Sequence, residues 1–261
     1  MRRESSRRRS TRRRHTVGLA LVALAVGLGT AGCLGSGSNN ASSTDAVTTA
    51  AETVAATTAA TTTAPATRTV RIYLVKDGKL VAEGRQLPAT EAVGHAALRA
   101  LLGDAVFDLS IANGVATVDG LGAVSHERAA EIVATLTQFP TVQAVELDGK
   151  RLTRLEVEDV TPSILVESPL PEARVAAPLR ITGTANTFEA SLIIEVLDAD
   201  GTTLTRKIVT ATSGSGTRGT FDTEIGFDTA GEQAGTLYAY EASAEDGSPI
   251  HQVRIPLTLL P

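Results

Sequence analysis

Between residues 69 and 158 the apolar positions alternate with a period of two, then switch to helical spacing, and the switch happens twice. Val70, Ile72 and Leu74 alternate with Arg71 and Tyr73, which predicts a half-buried strand. Asp77-Gly78 marks a hairpin turn, because glycine tolerates positive φ, and a second strand follows over 80–87. Pro88 and Thr90 open a helix with Val93, Ala97, Ala100 and Leu101 on one face, and Gly103 ends it. Leu109-Ser110-Ile111 and the run 115–118 flank a further turn at Asn113-Gly114. Ser125 caps a second helix with Ala129, Ile132, Val133 and Leu136 on its apolar face, and Phe139-Pro140 stops it. A strand over 142–147, the turn Asp148-Gly149 and a last strand through Leu155 and Val157 complete the order ββαββαββ. Helices interleaved with hairpins predict one sheet with both helices on one face.

Past residue 162 the helical spacing disappears. Short apolar runs recur at 164–166, 179–184, 192–197, 204–211, 219–227, 237–244 and 251–259, with clear turns at Asp200-Gly201 and Asp246-Gly247. About seven strands in about 100 residues is the pattern of an immunoglobulin-type sandwich, here without the cysteine pair and tryptophan of antibody domains. The expected fold class is α+β: a small α/β sheet-and-two-helix domain at 69–159 followed by an all-β immunoglobulin-like sandwich at 162–259.

The N-terminal stretch reads differently. Eight arginines crowd the first 14 residues, and 16–31 are small and apolar. This is the basic-then-apolar order of a secretory signal, too short for a comfortable membrane span, which needs about 20 apolar residues. Arg-Arg pairs raise the twin-arginine route, but His15-Thr16 follow Arg14 where that signal carries a bulky apolar residue. Thr30-Ala31-Gly32-Cys33 resembles a bacterial lipobox, and Cys33 is the only cysteine in the chain. The expectation is a signal peptide at 1–32, cleavage after Gly32 and lipid (diacylglycerol, palmitate) on Cys33, with an uncleaved anchor as the alternative. Residues 33–68 are mostly Ala, Thr and Ser, a linker with little that can pack. As a flexible chain, ~35 residues span roughly 30–35 Å.

Charge narrows the partners. Eight of the 24 basic residues and one of the 29 acidic residues lie in 1–32. The remainder therefore carries about −12, a surface that disfavours nucleic acid. A single cysteine excludes an internal disulfide. His95, His126 and His251 stand alone, without metal-ligand spacing, so no cofactor or metal is expected. In Asp198-Ala199-Asp200-Gly201 the glycine comes too early for a calcium loop, and Val209 stands where a loop glutamate belongs; a hairpin turn accounts for it. Ser213-Gly214-Ser215-Gly216 lacks the following Lys and helix of a phosphate loop, and lies in an all-β region rather than on a nucleophile elbow. The carboxylates of Glu156-Val157-Glu158-Asp159 read as a solvated boundary. No catalytic residue is nominated, and the chain is not expected to be an enzyme. Tyr238 and Tyr240 share a strand face and are the best candidates for stacking on a glycan.

Two family resemblances cover most of the chain beyond the linker. Ala96-Ala97-Leu98-Arg99-Ala100-Leu101-Leu102, Asn113-Gly114-Val115-Ala116-Thr117-Val118-Asp119 and above all Leu136-Thr137-Gln138-Phe139-Pro140 resemble the GerMN domain of sporulation and germination lipoproteins. Ile164-Leu165-Val166-Glu167-Ser168-Pro169, Ile181-Thr182-Gly183-Thr184-Ala185-Asn186, Gly219-Thr220-Phe221 and Glu241-Ala242-Ser243-Ala244-Glu245-Asp246-Gly247-Ser248 are similar to the immunoglobulin-like domain of bacterial spore germination proteins. The pairing implies a non-enzymatic interaction or scaffold module in a cell-envelope assembly, tethered through lipid on Cys33 to the outer face of the membrane. Its implied partner is an envelope or membrane protein, with self-association left open. The alternatives are a glycan-binding lipoprotein and, least favoured, an envelope enzyme. The germination label itself need not name the process served.

Overall fold

The computed structural model describes residues 66–90 and 92–261, which fall in one compact unit. The expected signal, Cys33 and nearly all of the linker lie outside the described residues. A ten-residue hairpin opens the unit, β1 (Thr67–Lys76) and β2 (Lys79–Pro88), closed by Asp77 and Gly78, both at positive φ. Two left-handed residues in a two-residue loop match the right-handed twist of the flanking strands. Helix α1 (Val93–Leu102) buries Ala97, Leu98 and Leu101 and ends at Gly103 with φ 62°. The hairpin β3 (Asp108–Ala112) and β4 (Val115–Asp119) precedes α2 (His126–Leu136), whose cap Ser125 accepts the Arg128 N–H at 3.2 Å. β5 (Ala144–Leu147) then pairs parallel to β4, and β6 (Lys150–Leu152) antiparallel to β5.

The order ββαββαββ is thus present as far as β6, but the strands form two sheets: β1-β2, and β3-β4-β5-β6. The reason lies in α2. All eight residues from Ala129 to Leu136 are buried, so this part of the helix has no solvent face. It packs against β1, β5 and α1 and so stands between the sheets.

The expected strand through Leu155 and Val157 is instead a 3-10 turn over Leu155–Val160. Thr153 starts it: the Glu156 carboxylate accepts the Thr153 N–H at 2.7 Å and its hydroxyl at 2.6 Å. This Thr-x-x-Glu contact satisfies the N-terminal donors of a helical turn and diverts the chain from extended backbone.

The remaining strands build two sheets of a sandwich. One has the order β11 (Thr203–Thr210), β10 (Ser191–Leu197), β13 (Gln233–Ala242), β14 (Pro249–Leu259) and β8 (Ala173–Val175). The other runs β12 (Gly219–Ile225), β9 (Leu179–Ala185) and β7 (Ile164–Ser168). Their inner faces share a core of Ile164, Val166, Ile181, Ile194, Leu237 and Leu257, among others. Three-residue β8, parallel to β14, is too short to show as an apolar run. At Gly183 in β9, a Cβ would strike the Leu165 carbonyl and lie 2.6 Å from the Phe221 ring, so only glycine fits.

β7 joins the two halves. Its apolar run Ile164-Leu165-Val166 is buried on both faces: Ile164 and Val166 enter the sandwich core, while Leu165 enters the core around α2. Strand alternation then puts Glu167 on the same side as Leu165.

Candidate functional site

The free side of β1 is closed by a helix rather than by a strand. The Val75 N–H donates to Glu131 Oε1 at 2.8 Å, and the Tyr73 N–H donates to Thr135 Oγ1 at 3.0 Å. Gln138 Nε2 donates to the Arg71 carbonyl at 2.8 Å. Glu131 and Thr135, one turn apart on α2, and Gln138 in the turn just after it, supply what an adjacent strand would. Since the outward groups of β1 belong to residues 71, 73 and 75, those opposite them on β2, Gly84, Ala82 and Leu80, point their N–H and C=O groups away from β1. Among the described residues no hydrogen bond reaches the main chain of Leu80 or Ala82 from that side. β2 is the outer strand of this hairpin, and at Leu80 and Ala82, only 1% and 7% exposed, it is covered by its neighbours rather than open to solvent.

A buried network fixes the sandwich against this hairpin. Tyr73 Oη donates to Glu167 Oε1 at 2.7 Å, and Arg154 Nη1 donates to the same oxygen at 2.8 Å. The Arg154 guanidinium lies 5.2 Å from the Tyr73 ring centre and also bonds Thr137 Oγ1 and the Ala134 carbonyl. Arg71 Nη1 donates to the Glu167 carbonyl at 3.0 Å. Burial, and then the Glu167 charge, pushes the Tyr73 hydroxyl up from 10.0 to about 12. Burial works against ionised Glu167, but the Arg154 charge and the bonds from Tyr73 and Arg154 outweigh it and hold the carboxyl below its ordinary value. A second clamp sits on the 3-10 turn: Arg218 Nε donates to Glu158 Oε2 at 2.8 Å and its Nη2 to the Pro162 carbonyl at 2.7 Å.

Between β2 and the sandwich lies a groove of ≈ 430 Å³. Leu80 and Ala82 of β2, Ile164 and Val166 of β7, and Val253 and Ile255 of β14 line it. Lys76, Lys79, Glu83 and Arg254 stand at it as charged groups. Glu83 is already shared by Lys76 and Arg85, and the Lys76 bond holds its carboxyl low. Lys79 donates to the Asp159 carbonyl, and Arg254 lies 3.8 Å from the Tyr238 ring centre; neither pairs with a carboxylate among the described residues. A second cavity of ≈ 510 Å³ continues along the same edge past Gly84 and Gln86.

Residues 163–248 match the family model for the immunoglobulin-like domain of bacterial spore germination. The strand β7 that walls the groove and carries Glu167 falls within the matched residues. No curated protein matches the chain. The crystal structure of CopC from Methylosinus trichosporium OB3b is similar at 16% identity and a TM-score of 0.26, covering 38% of this chain and 94% of that one. At that score the likeness carries no argument.

The residues singled out from sequence are not brought together. Tyr238 and Tyr240 do share a face, with ring centres 4.8 Å apart, but they are only 7% and 5% exposed. Arg254 and Arg206 cover their rings, and Gln252 and Glu195 accept from their hydroxyls at 2.8 and 2.9 Å. The glycan reading therefore lacks its aromatic platform. His95 stacks on Phe107, His126 contacts Asp159, and His251 contacts Glu241 at 2.7 Å, in three separate places. Among the described residues no cluster of three or more His, Cys, Asp or Glu could hold a metal ion. Asp198 Oδ1 accepts the N–H groups of Asp200 and Thr202, closing a hairpin turn. The residues that shape the groove form no motif in the sequence.

Proposed function

We propose that this protein is a non-enzymatic interaction module of a cell-envelope assembly, held outside the cytoplasmic membrane by lipid on Cys33. The observation that carries the reading is the apolar groove of ≈ 430 Å³ between β2 and the sandwich, in a unit whose two halves are locked by partly buried polar contacts. Walled apolar clefts with a few polar groups at the rim are where proteins take up ligands and partner segments, and Lys76, Lys79 and Glu83 stand at this one. The spore-germination-type sandwich and the GerMN-like segments of the helical half support an envelope setting. The lipobox-like tetrapeptide and the Ala/Thr spacer support a tether that lets the unit reach away from the bilayer.

Crosslinking of the full-length chain in its own cells tests this. The expected result is a specific membrane or secreted protein recovered with the wild type and lost with Cys33→Ser. Recovery of nothing across growth conditions contradicts the reading. So does turnover of a wall substrate abolished by changing a single carboxylate.

A further inference from the structure

We infer that the end of the sandwich bearing Phe188 is a rigid docking tip, which seats that ring in an apolar pocket with a basic rim on a partner protein. The inference rests on the reading of the chain as an interaction module, but not on the groove. Antiparallel pairing brings three connections to this end: 186–190 between β9 and β10, 211–218 between β11 and β12, and 243–248 between β13 and β14. Phe188 is 59% exposed there, and Ile250, opposite Glu241 in the β13–β14 ladder, is 37% exposed. Single exposed apolar residues are ordinary on protein surfaces. What sets Phe188 apart is the backbone that holds it.

Glu189 and Ala190 follow Phe188 at φ 53° and 56°, and Ser215 and His251 at the same end stand at 53° and 50°. Left-handed backbone strains a residue that carries a Cβ, and it persists only where the surroundings hold it. Here they do. The Ser215 N–H donates to the Thr187 carbonyl at 2.9 Å, and the Glu189 N–H to Ser215 Oγ at 3.0 Å. The Gly216 N–H donates to Asn186 Oδ1 at 2.9 Å. A Cβ on Gly214 would lie 2.5 Å from the Ala190 nitrogen, so two of the connections pack main chain on main chain. Glu241, only 6% exposed, accepts the Phe188 N–H at 2.8 Å with one oxygen and contacts His251 at 2.7 Å with the other. Thr187 Oγ1 is buried with no hydrogen-bond partner among the described residues. Strain, a buried carboxylate and an unpaired hydroxyl thus accompany one aromatic side chain held out in solvent. An anchor ordered in advance loses little conformational freedom on binding.

Charge selects the partner. The three connections carry the carboxylates of Glu189, Glu245 and Asp246. Their one cation, Arg218, is engaged with Glu158 and its side chain is 13% exposed. Carboxylates beside Phe188 and Ile250 complement a basic rim around an apolar pocket. They repel an anionic bilayer, and they repel the same end of a second copy.

The test puts the photo-crosslinking residue benzoylphenylalanine in place of Phe188 in the full chain, and separately in place of Ala199, exposed in the turn at the other end of the sandwich. Both proteins are irradiated in their own cells. The expected result is one discrete protein adduct from position 188 and none from 199, with Lys or Arg beside apolar residues in the attached peptide. Glu189→Lys/Glu245→Lys should cut the yield at least fivefold. The captured protein, once purified, should bind the wild type at least tenfold more tightly than Phe188→Ser. The unfolding midpoint of that variant should stay within a few degrees of the wild type, because the ring is mostly in solvent. No adduct from 188, an equal adduct from 199, or a yield indifferent to the charge reversal overturns the inference. An adduct to a second copy of the chain overturns it by assigning the tip to self-association. Mixed phosphatidylcholine and phosphatidylglycerol vesicles that hold the wild type more tightly than Phe188→Ser overturn it by assigning the tip to the bilayer. If position 188 fails while Val81 in the groove still yields an adduct, the tip is wrong and the interaction module stands.

Discussion

Glu167→Gln is the most informative single change, because it keeps the shape of the junction and removes only its charge. In the wild type, Glu167 Oε1 accepts from both Tyr73 and Arg154. The side chain is mostly buried, and Arg154 and Arg71 are about one-quarter to one-third exposed. Breaking a fully buried pair costs about 3–5 kcal/mol; the partial exposure of the arginines discounts this to about 2–3 kcal/mol. For a unit of this size that is a fall in Tm of roughly 4–12 °C.

The pH dependence follows from the same two groups. Tyr73 is raised from 10.0 to about 12, so its contribution is complete below pH 10 and is lost as pH climbs towards 12. A rise of that size corresponds to about 3 kcal/mol across the window. Glu167 is lowered from 4.5, so its contribution is present above that value and is lost as pH falls through the lower folded value. The variant should therefore lose the acid-side dependence of Glu167, and its alkaline loss should still begin near pH 10 but end earlier and be smaller, since one cause of the raised Tyr73 value is gone. Urea unfolding of wild type, Glu167→Gln, Tyr73→Phe and the double variant between about pH 3 and 12 measures all of this. Destabilisation below about 0.5 kcal/mol at pH 7, or strict additivity of the two changes, would refute a coupled network.

Thr135→Val should leave the Tyr73 N–H buried without an acceptor, costing about 1–3 kcal/mol and speeding exchange at that amide before others. Gly183→Val should prevent the sandwich from closing on the Leu165 carbonyl and Phe221 ring, seen as loss of the cooperative thermal transition. Arg218→Met removes the second clamp and should cost about 1–3 kcal/mol in chemical unfolding, without changing the circular dichroism of the native state. Labelling cells with radioactive palmitate should mark the wild type and not Cys33→Ser, which should accumulate as the longer precursor; equal labelling of both removes the anchor.

Local signals carry most of the fold. Turn glycines at 78, 114, 149, 201 and 247 all stand at positive φ, and Ser125 caps the second helix as its position implies. What local pattern cannot carry is closure at a distance. Tyr73 looks like the solvent side of an amphipathic strand, yet it is fully buried because Glu167, 94 residues later, lies over it. The single expected sheet becomes two because α2 is buried all round from Ala129 to Leu136, and nothing in its apolar spacing announces that Glu131 and Thr135 bond to a strand. The 3-10 turn that replaces the strand expected at 155–157 is legible in principle through Thr153 and Glu156, a helix-start pair at three-residue spacing. Tyr238 and Tyr240 lie on one face as their spacing implies, but the arginines that cover them come from β11 and β14, whose register sequence does not fix. The groove is a product of three strands far apart in the chain, so no motif could mark it.

The most direct measurement places a photo-crosslinking amino acid at Val81 on β2, and separately at Ile208, 69% exposed on β11. Both full-length proteins are irradiated in their own cells. The expected result is a discrete adduct from Val81, which lines the groove, and none from Ile208. An adduct from Ile208 alone, or from neither position, would contradict the assignment of the groove as the contact surface.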